Sequence, residues 1–142
     1  DHCCMIFSNL TRPSHLIEKV VDIIEKSNFS LEGLIDVFTK KEFNKNAKLH
    51  YLGPVLSNLS QSSRVRKYIL DKDKSFLQRL LPFTEYKDSI VRRGGVVGKL
   101  LIYILSFFEL GGIEVPGSRM MLTFSIGSSV GVVESKLLFI KD

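Results

Sequence analysis

Cysteine is scarce in this 142-residue chain, and its two copies, Cys3 and Cys4, are neighbours. Adjacent cysteines rarely bridge, because a trans peptide holds their Cβ atoms in the wrong geometry, so a disulfide framework is excluded. Tryptophan is absent and Ala47 is the one alanine. Long apolar runs are missing too. The longest, Leu100 to Phe108, is about half of what a membrane span needs. No charged region precedes the apolar run at the N-terminus, as a secretory leader would require. These absences lead to the expectation of a reducing, soluble setting, cytosolic or nuclear, with the cytoplasm carried forward. The chain starts at Asp1 rather than Met, so a fragment or processed product is expected.

The composition is that of a globular domain, 44% hydrophobic and 25% charged. The net charge of +5 permits an acidic partner without requiring nucleic acid, whose signature is charge clustered on one face. Residues 1–98 hold 16 Lys/Arg and 11 Asp/Glu, whereas residues 99–142 hold four of each, so all of the net charge lies in the first part. That shift, with the Gly- and Ser-rich character of the second part, marks a boundary near Gly98.

The first part reads as helices. SHLIEKVVDIIEK puts Leu16, Ile17, Val20, Val21, Ile23 and Ile24 on one helical face. SLEGLIDVFTKK opens on Ser30 as a cap and groups Leu31, Leu34, Ile35 and Phe38. After the polar break NKNAK, LHYLGPVLSNLSQ is apolar at Leu49, Leu52, Val55, Leu56 and Leu59. SRVRKYIL, KSFLQRLLPF and a helix from about Asp88 follow. Pro54 and Pro82 fall inside these patterns and can start or kink a helix.

The chain also repeats itself. IFSNLT (residues 6–11) matches VLSNLS (residues 55–60), and the helix order begins again after the second copy. Repeats of about 40–47 residues with two or three helices each indicate an α-solenoid, in which neighbouring units share one core. The expected fold is all-α: an armadillo-like α-solenoid fragment of about two helical repeats over residues 1–108, with an atypical, irregular or weakly structured tail over 109–142.

CCMIFSNLTR, YLGPVLSNLSQ and FLQRLLPFTEYKDSIVRRGGVVG resemble, in order and spacing, the armadillo-like family of Hgh-one or brain-protein-sixteen proteins. The resemblance covers residues 1–98. It implies a non-enzymatic adaptor of the eukaryotic cytosol that assists folding of translation elongation factor two with the cytosolic chaperonin TRiC/CCT. After RRGGVVG the family continues with a polar, cysteine-containing helix, whereas this chain reads KLLIYILSFF and has Ile102 where the family has Asn. Gly98-Lys99 can be encoded GGT-AAG, which contains the consensus start of a eukaryotic intron. Residues 99–142 are accordingly expected to be retained-intron translation or a gene-model error.

Gly98-Lys99 also raises the question of a phosphate loop. That loop needs Gly, four residues, then Gly-Lys-Ser/Thr after a strand. Here Arg93 stands at the first glycine and Leu100 at the hydroxyl, so the motif fails, and Gly94, Gly95 and Gly98 read instead as sites of close helix approach or bending. His2 beside Cys3 and Cys4 lacks the paired spacing of a zinc site. No catalytic, metal-ligating or cofactor-binding residue is nominated, and no cofactor is expected.

Seven residues remain as candidates for protein binding. Asn9 and Asn58 occupy equivalent repeat positions. In armadillo proteins generally, an Asn there can bond a bound peptide's backbone, since its amide both donates and accepts. Equally, each can bond a neighbouring inter-repeat turn. Arg64, Arg66, Lys67, Arg92 and Arg93 form either a solvated basic face or an electropositive patch for an acidic protein segment. The alternative function is nucleic-acid binding through those basic faces, although aromatic residues do not interleave with them as base stacking requires.

Overall fold

The computed structural model of the protein describes residues 1–71, 73–100, 118–126 and 133–141. The chain divides into two units, Asp1–Leu105 and Ser106–Asp142.

The first unit is helical where described, as the periodicity predicts. Helix α1 spans His2–Leu10. A 3-10 turn, Ser14–Leu16, leads into α2, Ile17–Lys26, and α3 covers Leu31–Thr39. Ser30 caps α3: its Oγ accepts from the Gly33 amide at 3.0 Å, satisfying a donor with no partner inside the helix. Helix α4, Leu52–Leu59, follows the polar break. Pro54 is its third residue, where the missing N–H costs no helical bond. Next come α5, Ser63–Ile69, and α6, Phe76–Leu80. Leu81–Glu85 form a 3-10 turn carrying Pro82 in its first positions. Helix α7, Ile90–Gly95, starts where the Ser89 hydroxyl accepts from the Arg92 amide. It runs into a π-type segment, Val96–Leu100, which bends at Gly98 (φ −69°, ψ −123°).

The order is that of two successive units, each ending in a helix laid on the last helix of the one before. Thus α4 packs on α1, and α7 packs on α4. The shared core holds Ile17, Val21 and Ile24 from α2, Leu34, Ile35 and Phe38 from α3, and Val55, Leu56 and Leu59 from α4. Val65, Ile69, Phe76, Leu80 and Phe83 extend it into the second unit. Each such side chain contributes about 1.5–3 kcal/mol through burial. Ile23, which the helical pattern places with this face, is exposed instead.

The repeat is visible in atomic detail as well as in letters. At the end of α1, the Thr11 hydroxyl donates back to the Ser8 carbonyl at 3.1 Å. At the end of α4, the Ser60 hydroxyl donates to the Ser57 carbonyl at 2.6 Å. The two helix ends are closed by the same local bond, 49 residues apart.

Glycine is essential at one place. A Cβ on Gly95 would lie 2.5 Å from the carbonyl oxygen of Gly53, and one on Gly53 would lie 2.7 Å from the Arg92 carbonyl oxygen. Helices α4 and α7 therefore cross backbone against backbone. Of the glycines expected to allow close approach or a bend, Gly95 does the first and Gly98 the second, while Gly94 faces open space.

In the second unit, the described residues form an antiparallel pair. Strand β1, Ser118–Ile126, faces β2, Val133–Lys141, in a register running from Ser118 opposite Lys141 to Ile126 opposite Val133. These two strands are the described part of the stretch over 109–142 that the sequence reads as an irregular or weakly structured tail. Neither segment alternates strictly between apolar and polar residues, so the pattern concealed a ladder whose backbone bonds do not depend on side-chain order. The all-α class describes the helical unit. Residues 101–117, which include Ile102, lie outside the described residues.

Candidate functional site

The seven nominated residues do not form one surface. Asn58 is buried, and its Nδ2 donates to the Ser8 carbonyl at 3.0 Å and to the Thr11 hydroxyl at 3.2 Å. It therefore fastens α4 to the end of α1, which is the inter-repeat role rather than the groove-lining one. Asn9, its repeat equivalent, is exposed, and its side chain makes no hydrogen bond among the described residues.

The basic residues divide in the same way. Arg64, at the start of α5, donates to Glu18 at 2.8 Å, Asp22 at 2.7 Å and Glu25 at 3.0 Å, all on α2. Three carboxylates around one guanidinium leave the cluster acidic, so Arg64 does not contribute to an electropositive patch. The bond from Arg64 holds the Glu18 carboxyl below its ordinary range. Arg66 donates to the carbonyls of Ser60 and Gln61, both at 2.8 Å, closing the end of α4. Lys67 is exposed and Arg93 half-buried.

Arg92 is the unexpected member. Only 4% of it is exposed. Its Nη2 donates to the Phe38 carbonyl at 2.7 Å, at the C-terminal end of α3. Its guanidinium carbon lies 4.8, 5.4 and 5.6 Å from the ring centres of Phe38, Phe83 and Tyr86. Among the described residues no carboxylate pairs with it. The negative end of the α3 dipole and the faces of three rings supply the compensation. His50 Nδ1 and Arg92 Nε are buried without hydrogen-bond partners. Burial, then the Arg92 charge, then Lys48, push the His50 pKa down.

A concave feature among the described residues lies elsewhere. A cavity of about 240 Å³ opens between α2, α3, α4 and α5. Val21, Ile24, Leu31, Leu59, Val65 and Tyr68 supply its apolar lining, and Glu25, Ser30 and Arg64 its polar groups. No local sequence signal points to it, because its walls come from four helices. Among the described residues no group of three or more His, Cys, Asp or Glu side chains could hold a metal ion, and no helix is long and apolar enough to cross a membrane.

The tail carries one pattern of catalytic type. Gly127-Ser128-Ser129-Val130-Gly131 spells G-x-S-x-G, the turn that presents a nucleophilic serine between a strand and a helix. These residues lie outside the described ones. Their described flanks are two antiparallel strands.

A family model described as "Domain of unknown function (DUF383)" matches residues 1–101. The chain belongs to this family. The "Protein HGH1 homolog" of Danio rerio is 50% identical over 100 residues, covering 70% of this chain and 26% of that protein. Those of Rattus norvegicus and Drosophila melanogaster are 46% and 41% identical over 103 and 101 residues. The Hgh-one resemblance read from the three segments is thus a family relationship confined to the first part of the chain. This chain spans about a quarter of the length of the curated relatives it matches. No solved structure matches it.

Proposed function

We propose that this segment is part of a non-enzymatic adaptor that binds a protein client in the cytosol. The client is translation elongation factor two, handed on with the chaperonin TRiC/CCT. Membership of the Hgh-one family carries this reading. The helical stack agrees with it, since stacked repeats offer extended side-chain surfaces rather than a reaction centre. The nucleic-acid alternative draws no support from the structure, because Arg64, Arg66 and Arg92 are engaged by acceptors of the chain itself.

Affinity capture of the full-length protein, followed by mass spectrometry, tests the proposal. Elongation factor two and chaperonin subunits are expected, and they should persist after nuclease treatment. Loss of all partners on nuclease treatment would instead support the nucleic-acid reading. Residues 99–142 are proposed to be retained-intron translation or a gene-model error. Several spliced transcripts reading continuously through Lys99 would refute that.

A further inference from the structure

Helices α1 and α4 carry the same residues at equivalent positions and meet opposite fates. Val55 and Leu59 on α4 are fully buried, whereas their equivalents Ile6 and Leu10 are 60% and 54% exposed. The Asn58 amide is bonded to a carbonyl and a hydroxyl at the end of the preceding helix, whereas the Asn9 amide has no such partner among the described residues. Three positions that are satisfied in one copy are unsatisfied in the other, and Met5 beside them is exposed as well. The two helices end in the same hydroxyl-to-carbonyl bond, so the comparison is between like structures.

We propose that the Met5–Leu10 face of α1 is an inter-repeat interface. Its occupant is a further helical repeat of the same polypeptide, present in the full-length protein. Asn9 is the residue that reads it, donating to a carbonyl and a Ser or Thr hydroxyl at a helix end of that repeat. The chemistry is fixed by the internal copy: the acceptor pair is the one Ser8 and Thr11 present to Asn58. Apolar side chains of the incoming repeat cover Ile6 and Leu10, as those of α2, α3 and their neighbours cover Val55 and Leu59. The matched relatives are about four times as long as the segment they share with this chain, so chain for such a repeat exists in the family. A unit too small to bury its own apolar face is completed by its neighbour. Asn9 is therefore a ladder residue of the stack rather than a contact for a bound peptide. This inference does not rest on the adaptor reading.

The test is hydrogen–deuterium exchange at the α1 amides, without any client, in the 142-residue chain and in the full-length protein carrying this segment. The α1 amides should be protected about tenfold or more in the longer protein relative to the shorter. Asn9→Ala should remove most of that protection while leaving the 142-residue chain unchanged. Asn9→Asp, which keeps the shape but cannot donate, should behave like Asn9→Ala. Equal exchange in the two proteins would overturn the proposal. So would full protection retained in both variants, and so would a loss of client binding by Asn9→Ala with exchange unaltered. Protection of the 142-residue chain that rises with its own concentration would assign the face to a second copy and refute the intramolecular repeat.

Discussion

The Arg92 guanidinium donates to the Phe38 carbonyl across 54 residues of sequence, at 2.7 Å. RRGGVVG, the most distinctive stretch of the family resemblance, thereby acts as a packing device. One arginine closes the end of α3, and one glycine three residues later lets α7 lie against α4.

Arg92→Ala should destabilise the helical unit by about 3 kcal/mol. It leaves the Phe38 carbonyl unsatisfied and opens a void among three rings. Arg92→Met, which keeps the volume and removes a buried charge, should cost about half as much. Chemical denaturation of both variants gives the comparison, and equal losses would mean that the cavity matters less than the hydrogen bond.

Gly95→Ala should be more harmful than its single added methyl suggests. The new Cβ meets backbone atoms of Gly53 and Pro54, which cannot turn aside as a side chain would. A loss of about 2 kcal/mol or more is expected, whereas Gly94→Ala, facing open space, should be neutral or slightly stabilising. Melting temperatures of the two variants decide this.

Asn58→Ala should cost about 1–3 kcal/mol, because the Ser8 carbonyl and Thr11 hydroxyl lose their donor in a buried site. Asn58→Asp should cost more, since a carboxylate would face the Ser8 carbonyl oxygen. Urea unfolding with an unchanged slope would attribute both losses to the native state.

Acid should weaken the fold in two steps of the same sign. The His50 pKa lies below its ordinary 6.5 in the folded state, so as the pH falls below 6.5 the unfolded chain takes up protons first and stability declines. The Glu18 pKa lies below its ordinary 4.5, so its contribution is complete above that value and is lost as the pH drops through the lower, folded one. His50→Gln should abolish the first step only. Salt should shrink the second, because Glu18, Asp22, Glu25 and Arg64 are all partly exposed. Unfolding free energies at pH 7, 5.5 and 3.5, with and without 0.5 M salt, measure both.

Much of the helical unit was legible because its signals are local. Leu34, Ile35 and Phe38 recur at helical spacing and are buried together, and Ser30 caps the helix they lie on. The repeat was legible as six letters. What the letters could not say is which neighbour each residue meets. Arg92 sits in a charged pair, which reads as surface, and its partners lie at Phe38, Phe83 and Tyr86. Asn58 has an amide that serves a peptide or a turn equally well, and only the position of α1 decides between them. Arg64 looked like free positive charge because the three carboxylates that enclose it are 39 to 46 residues away.

The Gly53–Gly95 crossing has a mechanical consequence. Two helix backbones in direct contact have no side-chain layer that could shear, so this point behaves as a rigid fulcrum. The polar connection from Lys40 to Lys48 is tied at its far end by the Asp1 carboxylate, which accepts from the Lys48 and Leu49 amides. Flexing of the helical unit should change the α4–α7 angle least, because that contact has no side chains to repack.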